Sequence, residues 1–170
     1  TLAEDFRAVR PDFAVAVPRV FEKIHAAVHA RVAAQPASRR ALFAWASGVG
    51  QQWSRYVERG QPVPAGLALR RRLADLLVLR RLRAAVGGRI KLFTCGGAPL
   101  SADVARFFHG AGLLICEGWG ATETSAPATA NTPQAFRFGT VGRPLPGVEV
   151  RVADDGELEV RGANVFAGYH

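Results

Sequence analysis

The chain has 170 residues, of which 49% are apolar, enough for one packed domain or for part of a larger one. Its 18 glycines and 10 prolines follow no repeat, which excludes a collagen-like chain, and two cysteines cannot build a disulfide framework. The first residues lack the apolar core of a signal peptide, and no run of about 18 uncharged apolar residues could span a bilayer. These features predict a soluble α/β protein of a reducing compartment.

The net charge of +8 belongs to the first half of the chain. Residues 1–91 hold 17 Lys and Arg against 6 Asp and Glu, whereas residues 92–170 hold 5 against 8. We interpret the basic excess as a solvated surface, with a patch for a membrane surface or an acidic partner as the alternative.

The first predicted elements are a strand and a helix. An apolar run at residues 13–17 predicts a buried strand, and Pro18 directly after it suits the first turn of a helix. His25 and His29 are interpreted as part of the polar outer face of that helix, because no third metal ligand is in view. Its apolar stripe consists of Phe21, Ile24, Val28 and Val32.

Two further helices are predicted before the middle of the chain. Residues 41–57 form the first, whose large aromatic side chains are expected to seal a core. Residues 67–86 form the second, which is strongly basic and which we expect to pack on the domain with a charged outer side. Because Arg80 falls on its apolar face, we expect a bend near Val78. That apolar face is assigned to Leu69, Leu73, Leu76 and Leu77.

A strand–helix–strand unit follows. Residues 90–94 and 113–116 read as uncharged strands, and a helix that begins at Ser101 lies between them, which predicts two parallel strands with a right-handed crossover. Ligands of such sheets bind at the carboxyl ends of the strands. Those ends are residues 95–99 and 117–123. Near the end of the chain, two alternating segments around a tight turn at residues 154–156 predict a β-hairpin.

The segment at residues 117–124, Glu-Gly-Trp-Gly-Ala-Thr-Glu-Thr, combines several functional groups in what we predict to be a loop. Trp119 offers a plane for stacking a purine, the Thr122 hydroxyl can donate to a phosphate, and Glu123 is a hard ligand for Mg²⁺. The alternative is a glycine-bounded turn with a buried Trp and a solvated Glu. The glycines at residues 96–97 allow close backbone approach to a flat ligand or simply form a tight turn.

These two segments resemble signature segments of the adenylate-forming superfamily, in particular those of long-chain fatty-acyl-CoA synthetases. The segments are Cys-Gly-Gly-Ala-Pro-Leu at residues 95–100 and the segment at residues 117–124. Three further stretches match in order and approximate spacing, so that the resemblance covers essentially the whole chain; they lie at residues 17–23, 141–147 and 156–169. A helical insert at residues 36–88 points to the long-chain branch.

The resemblance implies an α/β fold that is part of a large N-terminal adenylation domain, with mixed sheets flanked by helices and a β-hairpin near its C-terminal end. It implies that a fatty acid reacts with ATP to give an acyl-adenylate, from which CoA displaces AMP, with Mg²⁺ required. Trp119, usually Tyr in the family, is then placed along the adenine, Thr122 at the α-phosphate and Glu123 at Mg²⁺, the last two as catalytic residues. The other residues placed around the nucleotide are Gly96, Gly97, Ala98, Pro99, Glu117, Gly118, Gly120 and Ala121.

Three parts of the family pattern have no counterpart in the sequence: the Ser/Thr/Gly-rich phosphate loop, the Thr-Gly-Asp motif and the small C-terminal lid domain with its catalytic Lys. Residues 1–170 are therefore expected to be the central and C-terminal part of one AMP-binding domain. By themselves they are expected to have little or no synthetase activity.

Two alternatives stay open. The shared motifs fit a fatty-acyl-AMP ligase or another carboxylate-activating enzyme equally well. From another class, a non-catalytic basic module could use the helix at residues 70–83 to bind membrane phosphates or nucleic acid. The preferred interpretation is a cytoplasmic enzyme that binds no nucleic acid, with a peripheral contact of that helix at the inner membrane surface left open.

Overall fold

The computed structural model describes residues 2–170, which form helices packed on a central sheet and a separate hairpin. The α-helices of this part of the chain are α1 (Leu2–Val9), α2 (Pro18–Ala33), α3 (Ala37–Glu58), α4 (Ala65–Ala74), α5 (Arg80–Ala85) and α6 (Ala102–Gly110). The strands are β1 (Phe13–Ala16), β2 (Leu92–Cys95), β3 (Leu114–Ala121), β4 (Ala126–Ala130), β5 (Arg143–Pro144), β6 (Val148–Val152) and β7 (Leu158–Gly162).

The sheet has the order β1-β2-β3-β4-β5. Its first three strands are parallel, as predicted for β2 and β3. Strands β1 and β2 end level with each other, since Ala16 lies opposite Cys95, whereas β3 passes the partner of Cys95, Glu117, and continues to Ala121. Strands β4 and β5 add antiparallel pairs, and β6 and β7 form the predicted hairpin by themselves. The predicted α/β class with a mixed sheet flanked by helices is confirmed.

The core lies between the sheet and helices α2 and α6. Phe21 of α2 is fully buried and meets Phe93 of β2 edge-on, with ring centroids 5.2 Å apart. Each such buried phenylalanine contributes about 2 kcal/mol by leaving water. The stripe predicted for α2 packs against this core. The His25 ring also packs edge-on against Phe107, with centroids 4.7 Å apart, so the outer face predicted for this histidine is wrong.

Helix α3 packs closely along α6. The two helices cross where Gly50 faces Gly110, and a side chain at either glycine would run into the backbone of the other helix. One turn further along α3, Ser54 Oγ is 2.8 Å from Nδ1 of His109, and both side chains are buried. The core role predicted for the α3 aromatics is confirmed by the burial of Phe43 and the packing of Trp53.

The basic helix predicted at residues 67–86 is divided by a π-helical turn at Asp75–Leu79, which contains the predicted bend position. The apolar face assigned to it is wrong: Leu69, Leu73, Leu76 and Leu77 are between 43% and 61% exposed. The opposite face packs on α3 instead, because small Ala74 allows close approach and because Arg83 is anchored there. Arg83 binds both carboxylate oxygens of Asp75 and donates to the Ala111 carbonyl at 2.8 Å.

Strand β1 is not buried on both faces, contrary to the prediction for residues 13–17. Phe13 is 50% and Val15 72% exposed, whereas Ala14 and Ala16 point the other way and pack on the core. Successive side chains of a strand point to opposite faces, and the face that carries Phe13 and Val15 is largely exposed.

Candidate active site

A cavity of about 750 Å³ opens at the carboxyl ends of the parallel strands, where the strand order predicts a ligand. Its wall is mostly glycine, alanine and other small or apolar residues, so that backbone is accessible from the cavity. The lining residues are Val15, Thr94, Cys95, Gly96, Gly97, Cys116, Gly118, Trp119, Gly120, Ala121, Thr122, Ala126, Pro127 and Ala130.

The first predicted segment forms one wall of this cavity through Gly96 and Gly97. Gly97 has φ +84°, a conformation that side chains rarely adopt, and no atom lies within 4 Å of the position that its Cβ would take. Gly97 therefore allows the tight turn, and its lack of a side chain leaves the space beside the turn open. Ala98 and Pro99 continue the same loop on the exposed side and do not line the cavity.

Glu117 does not line the cavity either, although the resemblance places it at the nucleotide. Its side chain is 5% exposed, and its Oε1 accepts a hydrogen bond of 3.0 Å from the Leu100 N–H. The second oxygen, Oε2, is buried without a partner among the described residues. Glu117 thus holds the loop after β2 against β3.

The second predicted segment is mostly strand, not the loop that its glycines suggest. Strand β3 runs through Ala121 and pairs with β4, with a bulge between Trp119 and Gly120. A Cβ on Gly120 would lie 2.7 Å from Pro127 Cα and one on Gly118 3.0 Å from the Thr129 carbonyl oxygen. The two glycines are therefore needed for the close pairing of the strands, and neither has a positive φ.

Trp119 is half-buried and lines the cavity from β3. It stands opposite Thr129 of β4 beside the bulge, where the local change in twist aims side chains differently from a regular strand. Its indole contacts no other aromatic ring of residues 2–170 and is partly exposed in the cavity, which suits stacking of a planar ligand.

A short 3₁₀ turn, Thr122–Thr124, follows β3 and carries the two side chains expected to do chemistry. Thr122 lines the cavity, and its hydroxyl has no hydrogen-bond partner in the described part of the chain. The turn is fixed by buried Thr124, whose Oγ1 accepts from the Ala121 N–H at 2.9 Å and contacts the Ala126 carbonyl at 2.8 Å. Ser125 and Ala126 then adopt left-handed backbone, with φ +51° and +95°.

Glu123 is not among the residues that line the cavity. Its Oε1 accepts a 2.5 Å hydrogen bond from the Tyr169 hydroxyl, and its carbonyl accepts one from the Phe166 N–H at 2.9 Å. The bond from Tyr169 lowers the pKa of the Glu123 carboxyl and raises that of the Tyr169 phenol. The carboxylate is charged at neutral pH and reaches solvent.

Both cysteines line the cavity, a role that sequence reasoning missed because it considered them only as disulfide partners or zinc ligands. Burial raises the pKa of the Cys95 thiol to about 12, with help from the charge of Glu117, and that of the Cys116 thiol to about 11. They are neutral thiols at physiological pH and hence poor nucleophiles and poor metal ligands.

The profile of the family described as AMP-binding enzyme matches residues 1–170. The chain belongs to this family. The long-chain-fatty-acid–CoA ligase FadD15 of Mycobacterium bovis is 45% identical over 162 residues, which are 94% of this chain and 26% of the relative. The long-chain-fatty-acid–CoA ligase ACSBG2 of Gallus gallus is 35% identical over 177 residues, 99% of this chain and 22% of the relative.

Among solved structures, a benzoate CoA ligase from Burkholderia xenovorans LB400 is 31% identical, with a TM-score of 0.46 over 51% of this chain and 20% of that chain. The chain spans about a quarter of the length of the curated relatives it matches. The prediction that it corresponds to part of a larger adenylate-forming enzyme is thereby confirmed.

In this member of the AMP-binding family, the structure brings seven of the predicted site residues to one cavity: Gly96, Gly97, Gly118, Trp119, Gly120, Ala121 and Thr122. Four others lie next to it without lining it: Ala98, Pro99, Glu117 and Glu123. Besides the two cysteines, the lining residues that sequence reasoning missed are Val15 of β1, Thr94 of β2 and the β4 residues Ala126, Pro127 and Ala130. Small residues in a strand carry no local signal of a ligand, so only the pairing of β3 with β4 reveals them.

Proposed function

We propose that the chain contributes the adenylate-binding core of a ligase that activates a long-chain fatty acid with ATP and transfers the acyl group to CoA. The single observation that carries the proposal is that Trp119 and Thr122 line one glycine-walled cavity at the carboxyl ends of parallel strands. Membership in the AMP-binding family and the names of its relatives support the reaction class. Residues 1–170 alone are proposed to be inactive.

In this proposal the adenine lies on the indole of Trp119, where the larger ring replaces the tyrosine usual in the family. Thr122 donates its free hydroxyl to an oxygen of the α-phosphate. The open space beside Gly97 lets the ligand approach the backbone. Gly118 and Gly120 serve the site indirectly, because they keep β4 close enough to complete the wall.

The reaction has two steps. A carboxylate oxygen of the fatty acid forms a bond to the α-phosphorus of ATP while the bond to the bridging oxygen breaks and pyrophosphate leaves. The thiolate of CoA then attacks the acyl carbon and displaces AMP. Residues of this chain position the reactants, and Thr122 donates a hydrogen bond that stabilises the negative charge on the phosphate.

Glu123 is proposed to hold Mg²⁺. One exposed, charged carboxylate suits an ion that is bound through one or two carboxylates, with phosphate oxygens and water completing its shell. The donor set fits this mode, since the described residues contain no cluster of three or more His, Cys, Asp or Glu that could hold the ion alone. Bound Mg²⁺ would neutralise phosphate charge in the first step.

The test uses the full-length protein and measures ATP affinity together with fatty-acid-dependent exchange of pyrophosphate into ATP. We expect Trp119→Ala to weaken ATP binding by about tenfold, since base–aromatic stacking contributes about 1–3 kcal/mol. The matched variant Trp119→Tyr should retain the exchange. ATP binding that is unchanged in Trp119→Ala, together with steeply salt-dependent binding to DNA or anionic vesicles, would instead favour a basic module.

A second measurement separates the proposed CoA ligase from a fatty-acyl-AMP ligase. Addition of CoA to the full-length protein with ATP and a long-chain fatty acid should release AMP and form the thioester. Accumulation of acyl-adenylate that CoA does not consume would support the acyl-AMP ligase.

A peripheral membrane contact at the inner membrane surface is a second proposal, carried by the exposed leucine face of α4 and the π-helical turn. Four exposed arginines border this face: Arg70, Arg72, Arg80 and Arg81. Apolar side chains flanked by cations suit an anionic bilayer surface. None of the helices of residues 2–170 is long and apolar enough to cross a membrane.

The membrane proposal is tested by flotation of the full-length protein with vesicles that contain anionic lipid. Leu73→Ser with Leu76→Ser should reduce binding severalfold without changing ATP affinity. Arg72→Gln with Arg81→Gln should weaken it in a salt-dependent way, whereas Arg71 and Arg83 are unsuitable for the test because both pair with Asp75. Vesicle binding that survives both double substitutions would refute the contact.

A further inference from the structure

A second cavity, of about 350 Å³, lies between the C-terminal end of α3, helix α6 and the segment after β4. It shares no lining residue with the candidate active site. Its walls are almost entirely charged and consist of Arg55, Glu58, Arg59, Arg106, Arg137 and Phe138. We call this site the arginine cavity.

One wall of the arginine cavity is rigid. Arg106 binds the Glu58 carboxylate with two hydrogen bonds, of 2.9 Å from Nε and 3.2 Å from Nη2. The same carboxylate accepts the Phe138 N–H at 3.1 Å. Glu58 is nearly buried, and its hydrogen bond raises the pKa of the Arg106 guanidinium. The charges of Arg106 and Glu58 cancel each other, and their contacts hold α3, α6 and the segment around Phe138 together.

The remaining three arginines have no such partner. Among residues 2–170, no acceptor binds the guanidinium of Arg55, Arg59 or Arg137, although all three line the cavity. Glu58 is the one lining carboxylate, and its charge is already engaged by Arg106. Asp103 adds only a 3.6 Å contact to Arg106. The cavity thus carries a local excess of positive charge.

Arg55 and Arg59 are one helical turn apart at the end of α3, so that their side chains leave the helix on the same side. Arg137 approaches on a separate segment that is tied down by two bonds of Asn131. The Arg137 N–H donates to Asn131 Oδ1 at 2.9 Å, and the Asn131 N–H donates to the Glu117 carbonyl at 2.8 Å. The three cations therefore line the cavity from two anchored elements, and an anion bound between them would interact with all three.

We propose that the arginine cavity binds a multiply charged anion of the phosphate class, either free phosphate or pyrophosphate or the phosphate of a lipid headgroup. Guanidinium groups in a fixed fork match phosphate oxygens with paired, charge-assisted hydrogen bonds. Phe138 is the one apolar lining residue and is itself buried, so the cavity offers no surface for a base or an acyl chain. This inference does not depend on the proposed ligase activity.

The experiment is equilibrium binding to the full-length protein with three probes: inorganic phosphate, pyrophosphate, and phosphatidylcholine vesicles that contain phosphatidate. The test variant is Arg59→Gln with Arg137→Gln, two exposed side chains whose loss breaks no described contact. The control variant is Arg31→Gln with Arg40→Gln, which removes the same charge elsewhere. Thr122→Val serves as a further control for anion binding at the candidate active site, since Thr122 is the residue proposed to contact phosphate there.

The expected result is that at least one probe binds, and that the test variant weakens this binding by about tenfold or more while both controls leave it nearly unchanged. Binding of the soluble anions assigns the site to a free phosphate, and binding of vesicles alone assigns it to a lipid headgroup. The proposal is overturned if no probe binds, or if the test variant and the Arg31/Arg40 control lose binding equally.

Discussion

Gly50 of α3 and Gly110 of α6 bring two helix backbones into direct contact. A Cβ on Gly110 would lie 2.6 Å from the Gly50 carbonyl carbon and 3.0 Å from the Gln51 nitrogen. Both obstacles are backbone atoms, which cannot rotate away. The close crossing is what allows Ser54 and His109 to meet on the neighbouring turn.

Gly110→Ala should therefore destabilise the protein by about 3 kcal/mol, because the helices must separate to admit one methyl group. Thermal or denaturant unfolding of the full-length protein measures the effect. Gly48→Ala is the matched control on α3: nothing lies within 4 Å of its Cβ position, and alanine should stabilise the helix by up to about 1 kcal/mol. Equal changes in unfolding free energy for the two substitutions would contradict the close contact of α3 and α6 at Gly50 and Gly110.

His109 should make stability depend on pH. Burial lowers its pKa to about 4 from the ordinary 6.5, so the folded protein keeps a neutral imidazole. Between these values only the unfolded chain takes up the proton, and stability is lost as pH falls from about 6.5 to 4. The loss attributable to this residue is about 3 kcal/mol at pH 4.

The contribution of His109 is isolated by comparison with His109→Gln, which has no titrating ring. The unfolding free energies of the two proteins should differ by about 3 kcal/mol less at pH 4 than at pH 7. A difference that does not change with pH would mean that the His109 imidazole has the same pKa in the folded and unfolded protein.

Ala126 adopts a left-handed backbone conformation, with φ +95°, beside the candidate active site. Glycine has no steric cost there, so Ala126→Gly should stabilise the protein by about 1 kcal/mol. Ala128→Gly, two residues further along β4 at a fully buried position, should destabilise it by about 1 kcal/mol. Unfolding midpoints compare the two variants, and a loss of stability in Ala126→Gly would show that the Ala126 methyl group is needed.

Tyr169 competes with a metal ion for Glu123 if that carboxylate holds Mg²⁺. Tyr169→Phe removes the hydrogen bond, so the pKa of Glu123 should rise toward its usual range and an oxygen should become free. We expect the Mg²⁺ concentration for half-maximal pyrophosphate exchange to fall by roughly threefold. Tyr56→Phe, on α3, is the control. An unchanged or higher Mg²⁺ requirement would argue against Glu123 as the ligand.

Local periodicity predicted the elements whose packing partners lie close in sequence. The Phe21 stripe of α2, the unit from β2 to β3 and the hairpin of β6 and β7 follow from residue spacing alone. Seven residues of the cavity lining belong to two short segments of the sequence, since the carboxyl ends of parallel strands meet at one edge of the sheet.

The end of β3 could not be predicted in this way. Its glycines predict a loop when only the local sequence is considered. They are needed instead for close pairing with Ala126 and Pro127 of β4, which the local sequence does not show. The role of Glu117 is equally non-local, since its carboxylate binds the Leu100 N–H of a loop 17 residues earlier in the chain.

The predicted buried face of the basic helix was wrong for a different reason. Both of its faces carry leucines: Leu67 and Leu79 are buried, whereas the four leucines that the spacing assigned to the core are exposed. The buried face is selected by Ala74 and by the ion pairs of Asp75, whose pKa is lowered chiefly by the hydrogen bond from Arg83. Arg83 also donates to the Ala111 carbonyl on another element, and helical periodicity alone does not predict such a contact.

The exposed apolar face of β1 should limit the solubility of residues 1–170 when they are expressed alone. Both faces of a parallel sheet are normally covered by helices, and an exposed apolar face promotes self-association of the protein. An excised 170-residue product should accumulate in inclusion bodies or as soluble aggregates, and Phe13→Ser with Val15→Ser should shift it toward monomers in size-exclusion chromatography.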